Sequence, residues 1–273
     1  MTGATTGAMT GTTTGATTGC ELAAQVVVIA KEPVPGRVKT RLTPPFTPRQ
    51  AADLAEAALA DTLATVVSAP IARRVLALQG EPGRWLPPGF DVIGQRGAGL
   101  DERIAAALTD VHRTWPAPVV LIGMDTPQVT PELLARAAGP LVSGAADATF
   151  GPAKDGGFWL LGLREVDPAL VLGVPMSRAN TGALQLARLT AAGLRVQVLP
   201  VLTDVDTAAE AGLIAAEVPG SRFGACHAAM LGGEPSAGLF PTPVLAATAS
   251  SGPSTPHAPT PISAAPALAT LNS

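Results

Sequence analysis

Apolar positions fall along this chain in two patterns that take turns. Gln25-Val26-Val27-Val28-Ile29-Ala30 is a short, uncharged, largely β-branched run, which predicts a strand covered on both faces. After a proline-rich stretch, Thr47-Pro48 offers an N-cap and a first helical position. Leu54, Ala58, Leu63, Val66 and Val67 then give an apolar face through Ala69, predicting a helix. Residues 74–78 and 91–94 read as further strands. Leu100, Ile104, Leu108, Val111 and Trp115 recur at spacings of three and four, which predicts a helix over 100–114. Val119-Val120-Leu121-Ile122 is another strand, and Thr130-Pro131-Glu132 opens a helix expected to end near Gly139-Pro140. Two short strands around 148–150 and 158–161 flank Asp155-Gly156-Gly157. A helix near 181–192, a strand at 195–199 and a last helix opened by the capping box Thr207-Ala208-Ala209-Glu210 complete the series. Such alternation predicts an α/β three-layer sandwich on a mostly parallel sheet, with ligands beyond the carboxyl ends of the strands.

The pattern fades at both ends. Residues 1–21 begin with Thr, Gly, Ala and Met alone, with glycine at every fourth position from Gly3 to Gly19. From Phe223 onward Glu234 is the only charge among Ala, Pro, Ser and Thr. Neither stretch offers enough apolar surface to offset backbone ordering. The expectation is a catalytic domain over 22–220, with disordered tails at 1–21 and 221–273. The formal net charge of −3 argues against binding nucleic acid along a basic face. Two cysteines, Cys20 and Cys226, both in the expected tails, supply no disulfide framework, and a cytoplasmic setting is expected. No membrane span is expected, since no strongly apolar run of about 18 residues occurs in the ordered part.

Four stretches carry chemistry. After the first strand comes Lys31-Glu32-Pro33-Val34-Pro35-Gly36-Arg37-Val38-Lys39-Thr40-Arg41-Leu42, a cation-rich loop that can gather donors around a polyphosphate or serve simply as a solvated surface. It is not a P-loop, because Val38 and not glycine precedes Lys39. The strand 119–122 runs into Gly123-Met124-Asp125-Thr126-Pro127. That places a carboxylate at a strand tip, suited to Mg²⁺ or Mn²⁺ shared with phosphates, or to capping the next turn. Asp204-Val205-Asp206-Thr207 supplies further acids just before a helix, where Asp is also an ordinary cap. Asp155-Gly156-Gly157 allows close backbone approach to a ligand or a tight hairpin. No G-x-S-x-G occurs, and His112 and the tryptophans read as packing, with Trp159 alone placed to stack on a substrate ring.

Taken together, Lys31-x-Pro33-x-Pro35-Gly36-x-Val38-Lys39-Thr40-Arg41-Leu42, Gly123-x-Asp125-x-Pro127, Gly151-Pro152-x-x-Asp155-Gly156-Gly157 and Asp204-Val205-Asp206-Thr207 resemble the DUF2064 family. That family lies in the GT-A, or nucleotide-diphospho-sugar transferase, superfamily and includes proteins labelled arsenosugar biosynthesis glycosyltransferases. Gln95-x-Gly97-x-Gly99-Leu100-x-Glu102-Arg103 is similar to its segment before the second major helix. The resemblance implies a GT-A Rossmann-like mixed sheet, with Lys31, Gly36, Arg37, Lys39, Thr40 and Arg41 at the nucleotide phosphates. It implies a divalent metal, Mg²⁺ or Mn²⁺, on Asp125 and Asp206, with Asp155, Gly156 and Gly157 on the acceptor side and Asp204 beside them or in support of the metal. Lys39, Asp125 and Asp155 become the expected catalytic residues. Met176-Ser177 stands where the family often has Trp-Ser, and Ala208-Ala209-Glu210 replaces a Pro-Glu-Asp-like sequence, departures that bear on the acceptor pocket.

The resulting expectation is a metal-dependent glycosyltransferase-like enzyme taking a nucleotide-activated sugar and a small-molecule acceptor. Asp125-Thr126-Pro127 in place of Asp-x-Asp also suits a nucleotidyltransferase that joins an NTP to a phosphorylated acceptor and releases pyrophosphate. A third alternative is a non-catalytic nucleotide-binding protein.

Overall fold

The computed structural model describes residues 21–232. Seven strands form one sheet: β1 (Leu22–Lys31), β2 (Ile71–Gln79), β3 (Asp91–Gly94), β4 (Val119–Ile122), β5 (Ala148–Pro152), β6 (Phe158–Leu163) and β7 (Val196–Val198). Their order is β3-β2-β1-β4-β6-β5-β7. All neighbours pair in parallel except β6, which runs against both β4 and β5. The expected mostly parallel α/β sheet is therefore what the chain forms.

Six helices accompany it: α1 (Pro48–Ser68), α2 (Leu100–Thr114), α3 (Pro131–Ser143), α4 (Thr181–Ala191), α5 (Ala208–Glu217) and α6 (Arg222–Leu231), the last two packed with α1 and not on the sheet. Alternation within β1 sets the two faces. Ala24, Val26, Val28 and Ala30 pack with Leu59 and Leu63 of α1 and Leu134 and Leu141 of α3. Val27, one position out of step, packs with Ile104 and Leu108 of α2 and Leu189 of α4. A strand with apolar contacts on both sides needs an unbroken apolar run, which is why residues 25–30 carry no charge.

Two boundaries differ from expectation. α3 continues through Pro140 to Ser143 and stops at Gly144, whose φ of 75° is left-handed. Leu141 is fully buried, so core packing holds the last turn in place although Pro140 removes a helical hydrogen bond. The folded body also passes the expected end at 220. In α6, Phe223 and Cys226 are buried against Leu54, Ala57 and Ala58 of α1 and Ile214 of α5. Asp61, itself buried on α1, accepts from the backbone N–H groups of Arg222 and Phe223 at 3.1 and 2.8 Å. His227 meets Phe46 edge-on. Low charge made this helix look like a tail, whereas here the low charge serves burial. The remaining tail expectations, for 1–20 and 233–273, and Cys20 with them, lie outside the described residues. Among the described residues no helix is long and apolar enough to cross a membrane.

Candidate active site

Residues 32–47 leave β1 at its carboxyl end and are pinned by apolar anchors. Val38, Leu42 and Phe46 are buried, so the polar residues between them have few places to point except over the strand ends. Gly36 takes a φ of 77°, which only glycine adopts without strain. Lys39, at φ 47°, takes a left-handed conformation just before a short 3-10 turn at Thr40–Leu42. That turn swings its side chain across to β4 and the last loop.

There the Lys39 Nζ donates to Asp125 Oδ2 at 2.7 Å and to Asp206 Oδ1 at 3.1 Å. Arg41 Nη1 reaches Asp206 Oδ2 at 3.3 Å. Burial disfavours the Lys39 ammonium, but the charges and hydrogen bonds of Asp125 and Asp206 outweigh it and hold the pKa above the ordinary lysine value. The two acid segments are joined by backbone as well: the Val205 N–H donates to the Asp125 carbonyl at 2.9 Å. On the other side of β4, the Lys31 N–H donates to Met124 Sδ.

Carboxylate oxygens of Asp125, Asp204 and Asp206 lie within 4.8 Å of one another. Sequence reasoning left Asp204 to support either the metal or the second substrate, and the fold groups it with the two expected metal ligands. Burial, followed by the charges of Asp125, Asp155 and Asp206, pushes the Asp204 carboxyl up to about 7. Three crowded carboxylates, with an ammonium already drawn between two of them, form a hard-oxygen donor set that fits Mg²⁺ or Mn²⁺.

A cleft of about 680 Å³ opens over these groups. Of the expected residues, Lys31, Arg37, Lys39, Thr40, Arg41, Asp125, Asp155, Gly157, Asp204 and Asp206 line it. Gly36 and Gly156 act instead through the backbone. Gly156 (φ 91°) abuts the Ala179 carbonyl so closely that a Cβ there would lie 1.9 Å from its oxygen. The Gly182 N–H donates to the Gly156 carbonyl at 2.7 Å, and the Asp155 carboxylate accepts from the Gly157 N–H at 2.7 Å. The two glycines thus lock the β5–β6 hairpin to the segment before α4.

Of that segment, sequence reasoning singled out Met176-Ser177 as bearing on the acceptor pocket and missed Arg178 and Ala179. Residues 176–179 line the cleft, and Ser177 takes a φ of 56°. Thr181, buried beneath them, donates to the Pro175 carbonyl at 2.8 Å and accepts from the Arg178 N–H at 3.0 Å. The available signal was an arginine in a loop between a strand and a helix, on the wall that Asp155 already marked. Gln95, seen before only as part of a motif, donates to the carbonyls of Ala30 and Ala77 at 2.7 and 2.9 Å, tying the ends of β1 and β2 below the basic loop. Trp159 is buried and donates its indole N–H to the Pro200 carbonyl, a packing role. His112, on the far side, meets the Ala117 carbonyl and Glu165.

A mostly parallel α/β sheet carries here a basic loop and an acidic cluster at its central strand tips, the end where such sheets place their ligands. Residues 54–178 match the family model described as "Uncharacterized protein conserved in bacteria (DUF2064)", which bears out the resemblance read from the motifs. The match takes in Asp125 and Asp155 and leaves the basic loop and Asp206 outside its span. No curated protein matches the chain in sequence. Among solved structures, a candidate nucleotide-diphospho-sugar transferase from Desulfovibrio desulfuricans is 27% identical, with a TM-score of 0.69. The alignment covers 77% of this chain and 94% of that one. Rv0371c from Mycobacterium tuberculosis is 22% identical, at a TM-score of 0.42 over 71% and 97% of the two chains. The 2-C-methyl-D-erythritol 4-phosphate cytidylyltransferase of Thermus thermophilus is 17% identical, at 0.44 over 72% and 98%.

Proposed function

We propose that the chain is a transferase that binds a nucleotide-activated sugar with its phosphates against residues 31–41 and passes the sugar to a small acceptor. The observation that carries this reading is Lys39 Nζ set between Asp125 and Asp206 at 2.7 and 3.1 Å. It brings the basic loop of β1 and the carboxylates of two other strand ends to one point. Lys31 and Arg37 line the same cleft and make no ion pair within the described residues, so they are available to phosphate oxygens. Asp125 and Asp206, with Asp204 beside them, would hold Mg²⁺ or Mn²⁺. When bound, the ion neutralises charge developing on the departing phosphate. Asp155 stands at the cleft on the acceptor side, where its carboxylate can orient an attacking hydroxyl. The likeness to the Desulfovibrio desulfuricans protein supports the nucleotide-sugar reading.

A second reading rests on one observation. The tip of β4 carries a single acid, with Thr126 and Pro127 following Asp125, and one strand-tip acid beside a cation-rich loop also suits attack on the α-phosphate of a triphosphate. One experiment separates the two. The full chain is incubated with Mg²⁺, a panel of nucleotide sugars and triphosphates, and pooled sugar and sugar-phosphate acceptors. Release of a nucleoside diphosphate supports sugar transfer, and release of pyrophosphate supports the second reading. Binding of nucleotide without either product, or no binding, sinks the enzymatic reading.

A further inference from the structure

Arg178 has a position in the cleft that the phosphate reading does not use. It lines the cleft wall formed by the β5–β6 turn and the segment before α4. It is exposed, and its guanidinium makes no hydrogen bond or ion pair within the described residues. Its backbone, by contrast, is fixed. The Arg178 N–H donates to the buried Thr181 hydroxyl, its carbonyl accepts from the Thr181 N–H at 3.0 Å, and Ser177 before it takes a left-handed φ. A residue held this firmly at its backbone with an unpaired guanidinium over a cleft is a presented cation.

The sheet order says which ligand it meets. The basic loop follows β1, Asp125 follows β4 and Arg178's wall is built on β6. From β1 to β6 is two strand spacings, about 10 Å, a separation larger than the step between neighbouring phosphates of one nucleotide. Around it the wall is apolar, with Phe158 and Met176 partly exposed and Asp155 the nearest in sequence of the acids that line the cleft. Arg178 is therefore the cation of the co-substrate half.

We infer that the co-substrate carries an anionic group, a phosphate or a carboxylate, that is bound by the Arg178 guanidinium across the cleft from the nucleotide phosphates. This rests on the nucleotide reading above and specifies the class of molecule that the nucleotide-bound chain accepts. It also gives Met176-Ser177-Arg178 a role as the segment that selects the co-substrate.

The test uses the full chain with Mg²⁺ and whichever nucleotide gives the largest thermal shift. Glucose 1-phosphate, glucuronate and glucose are titrated in by calorimetry, so that phosphate, carboxylate and neutral head groups are compared on one body. At least one anionic sugar is expected to bind tenfold or more tightly than glucose. Arg178→Gln should abolish that preference, Arg178→Lys should keep part of it, and nucleotide affinity should stay unchanged in both. Equal binding of all three sugars, no binding by either anionic sugar, or a preference that survives Arg178→Gln overturns the inference. So does a parallel loss of nucleotide affinity, which would return Arg178 to the donor phosphates. If the wild type shows no nucleotide shift at all, the underlying reading fails instead.

Discussion

The Lys39 ammonium sits 2.7 Å from the Asp125 carboxylate and also holds Asp206, so a lysine from the basic loop stands where a cation is drawn by the acids. A divalent ion entering there has to displace it. Lys39→Met should accordingly raise affinity for Mn²⁺ about tenfold in the absence of nucleotide, the scale of one charge-assisted bond. The same change should weaken nucleotide binding in the presence of the metal. Calorimetry with Mn²⁺ alone, then with nucleotide, reads both. Unchanged or weaker metal binding would show that Lys39 supports the site and does not compete for it.

Asp125 lies at the tip of β4 and accepts the shorter of the two Lys39 bonds. Asp125→Asn keeps the shape and removes the charge. It should abolish the metal-dependent part of nucleotide stabilisation and any turnover while leaving the melting temperature of the ligand-free chain within a few degrees. A thermal shift with Mg²⁺ and nucleotide that persists in this variant would remove Asp125 from the metal ligands.

Asp204 gives the pH dependence a sign. Its folded carboxyl titrates at about 7, against an ordinary value of 3.8, so between those values the folded chain holds a proton that the unfolded chain has lost. Stability of the metal-free protein should therefore fall as pH rises from about 4 to about 7 and level off above that. Asp204→Asn should flatten this slope and gain most over the wild type at pH 8. Urea denaturation with EDTA at pH 5 and pH 8 measures it, and equal slopes in the two proteins would contradict the assignment. Metal binding near pH 6.5 should also release protons, visible as a buffer-dependent binding enthalpy.

Gly156→Ala places a Cβ against the Ala179 carbonyl at a φ of 91°. Both the contact and the conformation are unfavourable, with an expected loss of roughly 2 kcal/mol or more. Since Gly156 lines no part of the cleft itself, the change should act on acceptor use more than on nucleotide affinity. Melting curves and nucleotide titration of the variant test this together.

Removing α6 should destabilise the domain although the helix carries no expected site residue. Phe223→Ala empties a fully buried position beside Leu54 and Ile214, a change of about 3–5 kcal/mol. Asp61→Ala leaves the N–H groups of Arg222 and Phe223 without their acceptor, costing about 1–3 kcal/mol. A chain ending at Gly220 that melts like the full protein would refute the role of α6 in the core.

The sheet was legible because its inner strands are covered on both faces and had to be continuous apolar runs, as 25–30 and 119–122 are. Helix starts were legible where a side chain does the capping: Thr47, Thr130 and Thr207 each accept the expected backbone N–H. That the basic loop and the acid clusters meet at one cleft was legible because these residues are concentrated in short stretches at strand ends. What was hidden depended on distant partners. Ser221 caps α6 locally, but the N–H groups of Arg222 and Phe223 are held by Asp61, 161 and 162 positions away, and no local pattern contains that. Which of its two expected neighbourhoods Asp204 joins became visible only when Val205 was tied to Asp125. Arg178 gains meaning only from the Gly156–Ala179 contact that sets its wall.

The single reversed strand, β6, separates the two halves of the cleft in heredity as well as in space. Because it runs against its neighbours, its turn with β5 returns to the same end of the sheet as Asp125 without a crossover helix. The wall proposed for the co-substrate is therefore written in one continuous stretch of chain, from Gly151 to Gly182, while the basic loop is written elsewhere. On the proposed function, substitutions or whole exchanges within that stretch would redirect the protein to a new acceptor and leave the nucleotide half as it was.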